Sequence, residues 1–202
     1  EDHPRMNPDD EQAITDVCDA LIHMRQHIGP KHLAEPGPSP AQLRELFAAA
    51  AAAPDHKQLT PWRFLVLGDE ARRRLSEVFV AALLTRDPGA LPAHVDDARR
   101  KAFRGPVLIM AVADLRAEQP EVHALERVVS LGAAIQNLLL AAQARGYGSG
   151  LSSGRALQRP LLREAFGIAE GEHAVCFISL GTPLRSKSAR QRPAVDAFVR
   201  WV

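Results

Sequence analysis

Cysteine is nearly missing from this chain of 202 residues: only Cys18 and Cys176 occur, far apart and each inside an apolar segment. That usage excludes a disulfide-stapled scaffold and predicts reduced core thiols. An excess of either charge is also lacking. Twenty-five Lys plus Arg stand against 24 Asp plus Glu, a formal net charge of +1. Neither a nucleic-acid backbone nor an anionic membrane surface is called for as a partner by such a balance. No apolar run approaches the roughly 18 residues that a spanning helix needs. The opening Glu-Asp-His-Pro-Arg lacks the basic-then-apolar order of a secretory signal. The expectation is a soluble cytoplasmic protein. Ser or Cys nucleophiles in a recognisable hydrolase motif are absent as well. His23 and His27 lie four apart, but no third ligand stands in register, so no metal is expected.

What is present is ordinary globular composition, 46% hydrophobic and 24% charged. One domain over 13–202 is expected, with residues 1–12 as an N-terminal tail and a C-terminal extension. Ile14, Val17, Cys18, Leu21 and Ile22 recur at helical spacing over roughly 11–24. The stretch from Gly29-Pro30 to Pro36-Gly37-Pro38 then breaks regular structure. Ser39-Pro40-Ala41-Gln42 reads as a capped helix start, and Pro54 stops that helix after an alanine run. A short strand is expected at Trp62–Leu67, and a helix capped by Asp69 follows. The spacing then predicts a loop over 86–96, within an 83–97 segment expected to shape an acceptor pocket, and a brief basic helix to Arg104. Val107–Ala113 is apolar enough for a strand buried on both faces. The longest helical pattern runs from about Glu121 to Arg145 and is apolar nearly all round. Gly146–Gly150 ends it and leads into a strand. A helix around 157–166 and a buried strand at Ala174–Leu180 complete the core, ahead of a basic tail. This irregular alternation suits an α+β sandwich better than repeated βαβ units.

Four segments could carry chemistry. The Gly146–Gly150 cluster is preceded by a helix and followed by a strand, the reverse of a dinucleotide fingerprint. It reads as a helix C-cap, with Ser152-Ser153-Gly154-Arg155 beyond it able to hydrogen-bond a ring or phosphate. Arg25-Gln26-His27 ends the first helix: either a phosphate fork or a solvated C-terminus that favours the helix dipole. Pro54-Asp55-His56-Lys57-Gln58-Leu59-Thr60-Pro61-Trp62 is a constrained polar loop. Asp55 and His56 could pair as acid and base, or Asp55 could cap the turn. Arg185-Ser186-Lys187, with Arg190 and Arg192, forms the basic tail. Together these edges describe an anion-cofactor cradle better than a hydrolytic centre.

On those residues the chain resembles the FMN-dependent nitroreductases, in their small single-domain subgroup. Pro54–Trp62 is similar to that family's Pro-Ser-x-x-Asn-x-Gln-Pro-Trp loop. Leu33-Ala34-Glu35-Pro36, the Gly-Tyr-Gly turn at 146–148, Arg163–Gly167 and Leu180-Gly181-Thr182-Pro183 also match. The resemblance implies a three-layer α+β sandwich, with a central mixed sheet flanked by helices, in an intertwined homodimer. It implies FMN at the dimer interface, with Arg25, Gln26 and His27 in the place of a phosphate-holding Arg-Arg-Ser. His56 and Gln58 are implied to reach the flavin from the opposite subunit. Leu151, Ser152 and Ser153 align with a flavin-touching Trp-Arg-Ser, and Arg185 and Lys187 with basic residues at the phosphate. Ala52 and Ser152 stand where arginines are expected.

The implied activity is transfer of electrons from NADH or NADPH, through flavin N5, to a small acceptor such as a nitroaromatic or quinone. No side chain need act as nucleophile, because the flavin carries the redox step. Alternatives on the same fold are a specialised flavin-dependent oxidase or dehalogenase-type enzyme, or a flavin-binding protein with little turnover.

Overall fold

The computed structural model describes residues 7–116, 121–185 and 191–202, and its first helix begins where Asn7 caps it. The Asn7 side chain accepts from the Asp9 amide, Pro8 opens the first turn, and Asp9, Asp10 and Glu11 lie at the positive dipole end. Helix α1 is Pro8–Met24. It therefore takes in residues 8–12, expected in a tail, because these start signals precede the first apolar residue. None of its residues is buried, and Cys18 is exposed on it rather than in a core.

A 3₁₀ turn at Pro30–His32 leads to strand β1, Leu33–Ala34. This strand lies within the stretch expected to be irregular; it forms because β5, described below, offers it an edge. Helix α2, Pro40–Ala51, has the expected reciprocal cap between Ser39 and Gln42. Strand β2 is Trp62–Val66 and helix α3 is Asp69–Arg86. Its N-cap is Gly68, and Asp69 sits in the first turn instead. Helix α4, Pro92–Lys101, removes most of the loop expected at 83–97, which shrinks to 87–91. Pro92 at the first helical position explains the restart.

Strand β3, Val107–Asp114, leads towards α5, Ala124–Ala144, whose cap pairs His123 with Glu126. By length and composition α5 is apolar enough to cross a membrane, at a mean hydropathy of 1.3. Its apolar residues are interspersed with alanine and polar positions, which hid this from a search for unbroken runs. Leu131, Ala134, Leu138 and Ala142 bury one of its faces in the core. Strand β4, Gly148–Ser152, a 3₁₀ turn at Arg155–Gln158, α6 at Pro160–Phe166 and β5 at Glu172–Pro183 follow.

The sheet order is β1-β5-β3-β2, with β4 also on β5. The pairings between these strands are antiparallel; the parallel contact among the described residues is the isolated His27–Ser149 bridge. Alternation along β3 builds the layers. Ile109, Ala111 and Ala113 face α2 and α5, whereas Leu108, Met110 and Val112 face α3 and α6. Burial also pushes the Cys176 thiol up to about 11, leaving it an inert core residue.

Two charged groups hold this frame. Arg72, buried in α3, donates to the carbonyls of Leu67, Gly105 and Pro106 at 3.1, 3.0 and 2.8 Å. It thereby fixes the connection between α4 and β3, and its desolvation lowers its pKa. Glu172 accepts both arms of Arg63 at 2.8 and 2.7 Å and the Ala169 amide at 2.8 Å. The Arg63 hydrogen bond holds the Glu172 carboxyl below its ordinary range. A depressed carboxylate stabilises the fold above its unfolded value of about 4.3, and that contribution is lost as pH falls through the lower folded value. Glu172→Gln should therefore cost about 1–3 kcal/mol at neutral pH. In thermal melts its deficit relative to the parent should shrink once the pH falls below that window.

Candidate functional site

The site is built on β4, whose glycines let another segment lie directly on the strand. A Cβ at Gly150 would collide with the Ile28 carbonyl and come within 3.1 Å of the His27 ring; one at Gly148 would come within 2.9 Å of Leu33. The Ile28 amide donates to the Ser149 carbonyl at 2.8 Å. Together with the His27–Ser149 bridge, this brings the end of α1 against the Gly146–Gly150 turn. Arg25, Gln26 and His27 therefore flank the strand that carries Leu151 and Ser152.

Two cavities lie along this strand. The first, about 560 Å³, is lined by Gln26, Ser149 and Arg185, among others. Arg185 donates to His32 Nε2 at 2.8 Å, so the imidazole accepts there. Arg192 donates to the Arg25 carbonyl at 3.3 Å, joining the basic tail to the end of α1. Lys187 lies outside the described residues.

The second cavity, about 370 Å³, is lined by Ser152, Ser153 and Gly154, with Lys101, Arg104 and Ser179. Its walls include Phe79 and Phe177, whose rings meet edge to face at 6.0 Å. Asp97 holds both cations, at 3.3 Å from Lys101 Nζ and 2.7 Å from Arg104. The Lys101 contact is the larger cause of the lowered Asp97 pKa. Ser179 Oγ is buried and, among the described residues, has no hydrogen-bond partner. A buried hydroxyl in that state is unfavourable by itself and calls for a polar ligand. It sits in register with Gly150, on the face that Ser152 and Phe177 share.

His56 and Gln58 line neither cavity. Their loop carries positive φ at Lys57, Gln58 and Thr60, and is tied to the start of α5. His56 Nδ1 meets Glu126 at 2.8 Å and Lys57 meets Glu121 at 2.6 Å. Asp55 accepts the Thr60 amide at 2.6 Å, so it caps the turn and does not pair with His56. Of the predicted set, the structure gathers Arg25–His27, Leu151–Ser153 and Arg185 around β4 and leaves His56 and Gln58 apart.

Lys101, Arg104 and Ser179 were not among the residues singled out in sequence. The signal for Ser179 is a lone hydroxyl inside an apolar strand; Lys101 and Arg104 read only as part of a brief basic helix. Gly150→Ala should force the 27–28 segment off β4, costing about 1–3 kcal/mol, as overpacking does. The check is a lowered melting temperature, with Gly154→Ala, where a Cβ meets nothing within 4 Å, as the tolerant control.

The pattern described as the "Nitroreductase family" matches residues 31–182. Over 187 residues the chain is 35% identical to an Escherichia coli K12 protein described as "Putative NAD(P)H nitroreductase YdjA", covering 92% of this chain and 99% of that one. A Haemophilus influenzae protein described as "Putative NAD(P)H nitroreductase" is 33% identical over 186 residues, with 91% and 100% covered. Among solved structures, a nitroreductase-like family protein from Bacillus cereus superposes with a TM-score of 0.79 at 18% identity, covering 100% of this chain and 99% of that one. The FMN-dependent nitroreductase NfnB of Mycobacterium smegmatis, solved in complex with NADPH, gives 0.71 at 17%, with 94% and 99% covered. Fold, family pattern and relatives agree, and the chain belongs to the nitroreductase family.

Proposed function

We propose that this chain is an FMN-dependent oxidoreductase that takes electrons from NADH or NADPH and passes them to a small acceptor such as a nitroaromatic or quinone. The observation that carries the reading is the unpartnered Ser179 hydroxyl, buried in a cavity with Ser152, Ser153 and two cations. Such a cavity, apolar-walled with a few convergent polar groups, fits a flat heterocycle with polar edges.

When bound, FMN supplies the redox chemistry, accepting hydride at N5 and passing electrons on. The protein's part is binding and electrostatics. Gln26 and Arg185, with Arg25 and His27 alongside, form the phosphate end. Leu151, Ser152, Ser153 and Ser179 form the ring end, with Ser and backbone groups to hydrogen-bond it. Lys101 and Arg104 favour negative charge there, and Asp97 keeps both in place. These two cations offset the guanidinium missing at Ser152.

A homodimer completes the site in this reading. Ile14, Val17 and Met24 on α1, Leu125 and Val129 on α5, and Phe198 and Trp201 in the tail are exposed. So much apolar surface favours a protein partner, and a second copy would cover it. In that dimer His56 and Gln58, whose loop is tied to the start of α5, would reach the flavin of the opposite subunit.

The purified protein should be yellow, and anaerobic NADH or NADPH should bleach it. A colourless protein that neither binds added FMN nor oxidises a reduced nicotinamide would sink the proposal. Ser179→Ala should weaken FMN about 2- to 10-fold, and Arg185→Ala about 10- to 100-fold, as expected for a neutral and a charged hydrogen bond respectively. Fluorescence titration of the apoprotein with FMN measures both.

A further inference from the structure

A groove of about 450 Å³ adjoins the Ser179 cavity and shares Phe79, Lys101, Gly154 and Ala156 with it. It runs between the C-terminal part of α3, α4 and the 3₁₀ turn at Arg155–Gln158. Its charged lining is Arg86, Lys101, Arg155 and Arg159, and no carboxylate lines it. Elsewhere on the surface several arginines face a carboxylate: Arg73 faces Glu70, Arg99 faces Glu77, Arg104 faces Asp97 and Arg145 faces Glu45. Among the described residues, Arg86, Arg155 and Arg159 make no side-chain hydrogen bond and no ion pair. Guanidiniums gathered on one groove repel one another unless an anion lies between them.

The rest of the lining is apolar and includes Phe79, Leu83 and Ala98. One carboxylate would engage one guanidinium fork, whereas several unpaired forks suit a ligand with several phosphate charges. The apolar wall suits a flat base attached to those phosphates.

We propose that this groove takes the adenosine phosphates of the electron donor and, through the 2′-phosphate, makes the protein prefer NADPH to NADH. The inference rests on the flavin reading above, because the donor's nicotinamide must reach the adjoining cavity. Arg155 and Arg159, on the segment that follows Ser152–Gly154, are the discriminating residues; Arg86 and Lys101 complete the field.

The test is calorimetric titration of the FMN-loaded protein with NADP⁺ and NAD⁺, neither of which reduces it. NADP⁺ should bind at least about tenfold tighter, and Arg155→Gln/Arg159→Gln should bring the two within about twofold, as expected for losing charged hydrogen bonds to the extra phosphate. The double variant should keep its FMN spectrum and melting temperature. Equal affinities in the parent, or a preference that survives in the variant, overturns the proposal. So does a variant that binds NADP⁺ unchanged but loses affinity for nitrobenzoate and not for nitrobenzene, which assigns the groove to the acceptor. Adenosine 2′,5′-bisphosphate titrated without FMN separates the two readings. Its binding with loss in the variant supports the groove even if FMN uptake fails, and its failure to bind counts against the groove alone.

Discussion

The contact between the Ile28 carbonyl and Gly150 organises the functional half of the molecule. A strand normally presents a side chain at every position, and this one presents none at the point where a second backbone must lie. From that approach follow the His27–Ser149 bridge and the proximity of α1 to the glycine turn. The two cavities lie along β4, one lined by Gly148 and Ser149 and the other by Ser152.

The cations differ in how they are restrained. Lys101 and Arg104 share Asp97, and the connection that follows α4 is anchored by Arg72 through main-chain carbonyls. Arg72 is buried and, among the described residues, makes no ion pair, although Asp69 and Glu35 act on it electrostatically; its close partners are main-chain carbonyls. Restraint of this kind lowers the conformational entropy lost when a ligand arrives.

Much of the fold was legible in sequence because local signals and burial agree. Ser39 and Gln42 cap α2, Val107–Ala113 is buried on both faces, and the α5 pattern marks the central helix. The misreadings occur where tertiary contacts override local pattern. Leu33–Ala34 has no strand signal of its own and pairs only because β5 runs long enough to accept both β4 and β1. The segment at 83–97 contains turn residues, yet the apolar repeat of α3 runs through Ala82 and Leu83, and Pro92 starts another helix. For the site, Arg25–His27 and Ser152–Ser153 were visible as polar edges beside regular elements. Ser179, Lys101 and Arg104 were not, since their meaning depends on the register of β4 with β5 and on where α4 docks.

Helix α1 buries none of its residues within its own chain, though it ends in Arg25, Gln26 and His27. Within the chain it is held by its cap, by the Gln143 bond to the Leu21 carbonyl at 3.2 Å and by the segment on β4. A helix of 17 residues is marginal in water without packing. Its order therefore depends on whatever covers its apolar side, and that dependence is subject to mass action. In the homodimer proposed above, dilution would fray the helix, and with it residues 25–27, well before the sheet itself lost its pairing.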